Sequence, residues 1–392
     1  MWYFNSPEIM YGEGALRYLD ELQGKRASIV PDPGVHQLGF TELVSAHLRT
    51  AGLEVVYFAE VEPEPSLQTV ARGAKEIHEF APHWIVGLGG GSAMDAAKAM
   101  WIMYERPEFQ PGQTDFSGRL GLGTKARLLT IPTTAGTGAE VTIAAVITDT
   151  VEGRKLEIPS RELMATLVIV DPALTANLPP HITADTGMDV LTHAVDGYLS
   201  SWHNDFTDGL CLKAAEMVFK YLPRAFVDSG AAEAHDSEAR EKMASAATIA
   251  GLGISNSHIA LTHAIGHSLS VVFHRPHGRC VALALPYFIE FEANGGANRV
   301  ADLTNFLRLP ATDEASAGKA LAGAVQDLMR SVGEPVSVAE MGVDAVEYET
   351  CLEHLCDLAL GDTAIVISAR MPDVDELTKL YRHMYAGHAV DF

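Results

Sequence analysis

The chain has 392 residues, long enough for two domains that each bury a core. With 28 basic and 51 acidic residues its formal net charge is −23, which argues against nucleic acid or an anionic membrane surface as a partner. Hydrophobic residues make up 47% and charged residues 20%, ordinary for a soluble globular protein. No run approaches the roughly 18 apolar residues that suggest a membrane span. The four cysteines (Cys211, Cys280, Cys351, Cys356) are too scattered for a disulfide framework and read as reduced thiols. The opening Met-Trp-Tyr-Phe-Asn-Ser-Pro lacks the basic and apolar regions of a signal peptide, so a cytoplasmic location is the default expectation.

The first half alternates between two periodicities. Arg26–Asp32 reads as a buried strand ending in a Pro-Asp-Pro-Gly turn, and Thr41–Ala51 as a helix stopped by Gly52. Leu53–Phe58 is a second strand, Leu67–Phe80 a helix with apolar residues at helical spacing, and Trp84–Leu88 a third strand. Strands alternating with helices imply a parallel sheet with helices on its faces.

The third strand runs into Gly87-Leu-Gly-Gly-Gly-Ser-Ala-Met-Asp95 and a helix over about 93–104. Consecutive glycines admit a phosphate to the backbone, and a helix N-terminus offers free amides and positive potential. Ser92 and Asp95 have the spacing that caps a helix start. The run departs from the Gly-x-Gly-x-x-Gly fingerprint, with Ser92 at the third glycine position, so a ligand-free turn is an equal reading of the local sequence. After an irregular segment, Arg106–Lys125, the strand Arg127–Ile131 leads into Pro132-Thr-Thr-Ala-Gly-Thr-Gly-Ala-Glu140. That loop can close over a nucleotide or be a Thr-rich turn satisfied by its own backbone. Val146–Asp149 and Thr166–Val170 read as two more strands, with Arg154 and Lys155 in the turn between them.

Beyond Pro179-Pro180 the pattern is helical: 182–200, 208–221, 238–252, 259–272, 281–291, 315–332, 345–360 and 374–385. The acidic run Asp228–Glu241 reads as a solvated connection and helix start. In this half Asp189 and His193 are four residues apart, as are His263 and His267, so each pair shares a helix face one turn apart. His277, between Pro276 and Gly278, is expected on a tight turn that closes the site. One carboxylate and up to three neutral imidazoles suit a divalent transition metal such as Fe, Zn, Co or Ni. With 16 histidines in the chain, chance pairs at this spacing are the competing reading, but three histidines within fifteen residues of an apolar stretch need partners, and a shared metal supplies one.

Together these motifs resemble, essentially end to end, the iron-dependent (group III) alcohol dehydrogenases, the family of lactaldehyde reductase and 1,3-propanediol dehydrogenase. The resemblance rests on Gly89-Gly-Gly-Ser92-x-x-Asp95, the 131–142 threonine loop, Asp171-Pro172, Thr186–Tyr198, His263-Ala-Ile-Gly-His267 and Pro276-His-Gly278. It implies a dehydroquinate synthase-like architecture: an α/β, Rossmann-like NAD-binding domain over 1–178, then an all-helical metal-binding and catalytic domain over 179–392. It carries the metal ligands to Asp189, His193, His263 and His277, and makes His267 a proton relay near the substrate. It carries the cofactor contacts to Gly90, Gly91, Ser92, Ala93, Met94, Thr133, Thr134, Thr137, Val146, Lys155, Leu174 and Leu178. Asp32 would meet the adenosine ribose, where a carboxylate accepts from ribose hydroxyls and repels a 2′-phosphate, so NAD is expected over NADP. Glu64, where many relatives have Asn, adds negative charge there; Ala139 for a common Ser is expected to be neutral, and Ile367-Ser-Ala-Arg370 departs from a common Asn-Pro-Arg.

The implied reaction is hydride transfer between NAD(H) and a small primary alcohol or aldehyde, with Fe(II), or alternatively Zn(II), as Lewis acid. The partner is then a small molecule, and the resemblance implies a homodimer or higher homo-oligomer. The main alternative is a dehydroquinate-synthase-like lyase that also uses NAD and a metal. It needs a cluster of basic residues, and Arg275 and Arg279 are the only bases near these motifs. A metal- or nucleotide-sensing protein without turnover is a weaker alternative, since it needs no His267 beside the ligands.

Overall fold

A computed structural model of the chain describes residues 3–109, 119–152, 154–228, 236–296 and 298–392. The chain divides into two compact units, Met1–Asn177 and Leu178–Phe392.

Among its described residues the first unit has eight strands: β1 (Glu8–Tyr11), β2 (Arg26–Pro31), β3 (Glu54–Tyr57), β4 (Trp84–Gly89), β5 (Arg127–Pro132), β6 (Ala144–Asp149), β7 (Arg154–Pro159) and β8 (Leu167–Val170). Its helices are α1 (Pro33–Gln37), α2 (Phe40–Thr50), α3 (Leu67–Phe80) and α4 (Gly91–Glu105). Six strands form one sheet in the order β1-β8-β5-β4-β2-β3, and every pairing in it is parallel. All six residues of β4 are buried, as are all but the first of β2 and β5, which explains their unbroken apolar runs: central strands covered on both faces have no solvent side. Leu19, Ile29, Val44, Leu48, Val86 and Ile169 belong to the core that covers one face.

From β2 the chain moves outward to β3, then returns to the other side of β2 to lay down β4 and, beyond it, β5. The direction of winding thus reverses between β2 and β4. In open α/β sheets that reversal opens a crevice at the carboxyl ends of the strands, where ligands bind. Asp32, the 89–91 glycines and the 133–137 threonines all follow those carboxyl ends.

Several sequence expectations need correction in this unit. Arg154 and Lys155 lie not in a turn but in β7, which forms an antiparallel hairpin with β6. β1 was not anticipated and pairs with β8 at the sheet edge. The Ser92/Asp95 cap does not form. Gly90 occupies the N-cap of α4 with no side-chain cap, because Ser92 Oγ accepts the Glu64 N–H (3.3 Å) and Asp95 Oδ2 accepts the Val146 N–H (3.1 Å). Much of the irregular segment, residues 110–118, lies outside the described residues.

The second unit is helical: α5 (Pro180–Leu199), α6 (Asp205–Asp228), α7 (Ser237–Ser257), α8 (Leu261–Phe273), α9 (His277–Asn294), α10 (Asn298–Phe306), α11 (Glu314–Ser331), α12 (Ala345–Leu360) and α13 (Val374–Ala386). The sequence pattern lacked α10, and part of the acidic run, residues 229–235, lies outside the described residues. Two glycines set how closely the helices of the site approach. A Cβ on Gly266 of α8 would lie 2.8 Å from Val281 Cα on α9, and one on Gly278 would fall against the Asp185 carbonyl oxygen on α5. Only a bare backbone permits both crossings, and both lie within three residues of a histidine of the cluster. Among the described residues no helix is long and apolar enough to cross a membrane.

Candidate functional site

The second unit brings four of the sequence-predicted residues to one point. Asp189 and His193 stand one turn apart on α5, which is buried from Gly187 to Leu199. His263 stands near the start of α8, and His277 is the first residue of α9. His277 therefore lies on a helix N-terminus and not, as its Pro-His-Gly context suggested, on a tight turn. The Nε2 atoms of His193, His263 and His277 lie 3.6, 3.9 and 3.7 Å from the single oxygen Asp189 Oδ1. These separations exceed hydrogen-bonding distance.

Two of these atoms, Asp189 Oδ1 and His263 Nε2, are buried and have no hydrogen-bond partner. Leaving a buried polar atom unpaired costs roughly 1–3 kcal/mol, so two orphans facing one another call for a shared ligand. A tetrahedral cation with bonds of about 2.0–2.2 Å holds its ligand atoms roughly 3.4 Å apart, close to the spacing found. The donor set, one carboxylate and imidazole nitrogens, thus fits a divalent transition metal. Burial pushes the Asp189 carboxyl above its ordinary value and pushes His263 well below its own, so the isolated carboxylate and imidazolium are both disfavoured.

The cluster has supports that sequence reasoning did not assign. Asp196, one turn after His193 on α5, places Oδ2 2.7 Å from His263 Nδ1 and accepts the Ala260 N–H (2.9 Å). Holding Nδ1 turns Nε2 towards Asp189, as outer carboxylates do for ligating histidines. Arg279 Nε, two residues after His277, donates to Asp185 Oδ1 (3.1 Å) and Glu334 Oε2 (2.9 Å) and so ties the start of α9 to α5. His267 lies beside the group rather than in it. Its ring stacks on His277 with centroids 5.2 Å apart, and its Nδ1 is 2.7 Å from Asp362 Oδ2. The spacing of Asp196 within the motif was a readable signal; Asp362 and Glu334 are distant in sequence and left none.

In the first unit most of the predicted cofactor residues gather around the carboxyl ends of β2, β4 and β5. Gly89 adopts φ +151, and a Cβ there would lie 2.7 Å from Asp32 Oδ2 and 2.8 Å from Ala93 Cβ, so glycine is required. Asp32 caps α1 by accepting the Val35 N–H (2.9 Å). A Cβ on Gly90 or Gly91 would lie 3.5 Å from Thr134 or 3.3 Å from Thr137, so the threonine loop lies against the glycine loop. Thr133 donates its N–H to the Gly89 carbonyl (3.0 Å). The α4 N-terminus at Gly90, Gly91 and Ser92 offers backbone amides with no side-chain cap, which suits a phosphate. Val146 and Lys155 come from the β6–β7 hairpin, with Lys155 Nζ 2.7 Å from Glu64 Oε1. Met94 is buried in α4, Leu174 is buried in the apolar core of this unit, and Leu178 falls in the second unit.

Lys98 on α4 went unassigned in the sequence, although a lone cation in an Ala-rich apolar helix was itself a signal. Its ammonium is buried and donates to the carbonyls of Ala139 (2.8 Å), Thr142 (2.9 Å) and Ala144 (2.9 Å) and to Thr142 Oγ1 (2.7 Å). It fastens the far end of the threonine loop to the helix that follows the glycine loop.

A parallel sheet with a glycine loop at its winding reversal, together with a helical unit carrying a carboxylate–imidazole cluster, defines a metal- and nucleotide-dependent enzyme class. The sequence pattern of the iron-containing alcohol dehydrogenases matches residues 6–172, and that of the C-terminal part of the Fe-containing alcohol dehydrogenase family matches residues 183–385. The chain is 36% identical over 388 residues to the NADPH-dependent butanol dehydrogenase of Clostridium saccharobutylicum, covering 98% of each protein. It is also 36% identical to the aldehyde-alcohol dehydrogenase of Streptococcus pneumoniae (strain D39), but spans only 46% of that longer protein. Among solved structures, 1,3-propanediol oxidoreductase superposes with TM-score 0.90 at 28% identity, covering 98% of this chain and all of that one. Sulfoacetaldehyde reductase from Bifidobacterium kashiwanohense in complex with NAD+ gives 0.85 at 27%, covering 98% of each. The chain belongs to the iron-containing alcohol dehydrogenase family. It is an oxidoreductase of alcohols and aldehydes, a reading these relatives favour over the lyase.

Proposed function

We propose that the chain interconverts a small primary alcohol and its aldehyde with NAD(H), using Fe(II) held by Asp189, His193, His263 and His277. The observation that carries this reading is the convergence of three imidazole Nε2 atoms on Asp189 Oδ1, two of the four atoms being buried without a hydrogen-bond partner. Zn(II) satisfies the same donors, and availability decides between the two ions.

When bound, the metal supplies Lewis-acid polarisation of the substrate oxygen, and NAD supplies the hydride acceptor. The chain's own residues do the rest. Asp196 and the Arg279 contacts hold His263 and the start of α9 in place. His267, with a side chain 39% exposed, takes the hydroxyl proton at Nε2 during oxidation and returns one during reduction. The α4 amides at Gly90–Ser92 hold the pyrophosphate, and Thr133, Thr134 and Thr137 close the other side of it.

We favour NAD over NADP even though the Clostridium relative is named for NADPH. Asp32 at the end of β2, beside Gly89, presents a carboxylate where the adenosine ribose is expected, and Lys155 is paired with Glu64 rather than available to a 2′-phosphate. A cytoplasmic homo-oligomer completes the reading.

The division of roles is tested by two variants. His263→Ala should lose bound metal and turnover together, whereas His267→Ala should keep the metal and lose turnover by roughly 10²-fold or more. Equal metal loss in the two variants would refute the division.

A further inference from the structure

If His267 is the proton relay, its ring must be held and its Nε2 must carry a lone pair. We propose that Asp362 is the positioning residue that fixes His267 as the Nδ1–H tautomer, leaving Nε2 as the proton acceptor. The inference rests on the assignment of His267 made above.

Asp362 lies 95 residues from His267, just after α12, and its Oδ2 is 2.7 Å from His267 Nδ1. An ionised carboxylate only accepts, so the shared proton belongs to Nδ1 and the lone pair to Nε2. The carboxylate is itself anchored. Its Oδ1 accepts the Ala364 N–H (2.8 Å) and caps the short 310 turn Thr363–Ile367. Burial acts to raise the Asp362 carboxyl, but the hydrogen bond and charge of His267 outweigh it and hold the group below its ordinary value, so it stays ionised.

The segment that carries Asp362 is also pinned to α8 by Ser368, whose Oγ accepts the Leu261 N–H (2.7 Å) at the start of that helix. Ala364 and Ile365 are 3% and 2% exposed, so the turn is packed in place. The same device recurs one turn earlier on α8, where Asp196 holds Nδ1 of His263 at 2.7 Å. Two carboxylates, Asp196 buried and Asp362 half-buried, thus orient two histidines on one helix face. The first turns Nε2 of His263 towards the metal ligands; the second leaves Nε2 of His267 for the substrate proton. A carboxylate so placed also stabilises the imidazolium that forms when the proton arrives.

Asp362→Asn tests the idea on the full-length enzyme loaded with Zn(II), which is diamagnetic. The Ala364 N–H still needs an acceptor, so the amide oxygen takes that cap and the amide N–H2 faces Nδ1. That arrangement forces the proton onto Nε2. Turnover should fall roughly 10²- to 10⁴-fold, while metal content and the dissociation constant for NADH stay within about 2-fold. In 15N spectra of histidine-labelled protein, His267 Nε2 should be pyridine-type in the wild type and pyrrole-type in the variant. Asp362→Glu should recover part of the turnover. A wild-type His267 with its proton on Nε2 overturns the proposal, as does Asp362→Asn turnover within 3-fold of wild type. If His267→Ala itself retains turnover, the relay assignment falls and this proposal with it. If only Asp362→Asn retains turnover, the relay stands and the proposal alone falls. Should Asp362→Asn shed its metal, the wild-type tautomer signal decides by itself.

Discussion

Lys98→Met removes the cation that fastens the threonine loop to α4. The side chain it replaces is 0% exposed and donates to three carbonyls and a hydroxyl, all within 2.9 Å. Methionine fills much of the same volume, so the loss is electrostatic rather than a cavity. The half-buried Asp95 carboxyl, pushed by desolvation to about 6 and held down by Lys98 and the Val146 N–H, loses its main counter-charge. Stranding the carbonyl oxygens and the nearby Asp95 charge costs roughly 3–5 kcal/mol. For a unit of this size each kcal/mol lowers Tm by roughly 2–4 °C, so a drop of roughly 6–20 °C is expected. Because the loop carries Thr133, Thr134 and Thr137, the dissociation constant for NADH should also rise, by about 10-fold for each 1.4 kcal/mol of lost loop order. Scanning calorimetry of the full chain and fluorescence titration with NADH measure the two effects. Asp95→Asn added to Lys98→Met should restore part of the stability, since it removes the stranded charge. A Tm within 3 °C of wild type together with unchanged NADH binding would refute the strut.

Two further outcomes follow from the same reasoning. Asp32→Ser should raise kcat/KM for NADP by roughly 10-fold or more relative to NAD, with kcat for NAD little changed; an unaltered preference in steady-state kinetics would place the ribose elsewhere. Burial pushes the Glu292 carboxyl from its ordinary 4.5 to about 7 against the opposing Arg370 N–H and guanidinium, so the folded state favours the protonated acid. That contribution to stability is fully present below pH 4.5 and is lost as the pH rises through 7. Glu292→Gln should therefore gain on the wild type by about 3 kcal/mol between pH 4.5 and 8, read from urea unfolding at each pH; a difference independent of pH would contradict it.

The helical half was legible because a 3.6-residue repeat survives in α5, α8 and α12 without help from distant residues. The ligand spacing was legible for the same reason: Asp189 with His193, and His263 with His267, declare a helix face by themselves. What escaped the sequence depended on partners far along the chain. β1 is four residues long and becomes a strand by pairing with β8. β7 begins with Arg154 and Lys155 and looks like a turn until β6 lies beside it. Ser92 and Asp95 have cap spacing, but amides of Glu64 and Val146 claim both side chains. His277 sits at the start of a helix because Pro276 and Gly278 serve as N-cap and close contact instead of turn residues. The carboxylates behind the histidines divide in the same way: Asp196 shares a helix with Asp189, whereas Asp362 reaches His267 only through tertiary packing.

On the proposed reading, turnover depends on a divalent metal at the Asp189 cluster and on NAD. The direct measurement strips the protein of metal, rebuilds it with Fe(II) under anaerobic conditions or with Zn(II), and follows NADH absorbance against short alcohols and aldehydes. The stripped protein should show no turnover and regain it at one metal per chain, with Asp189→Asn failing to recover it. Turnover that is indifferent to metal, or tight NAD binding with no turnover on any alcohol or aldehyde, would overturn that dependence.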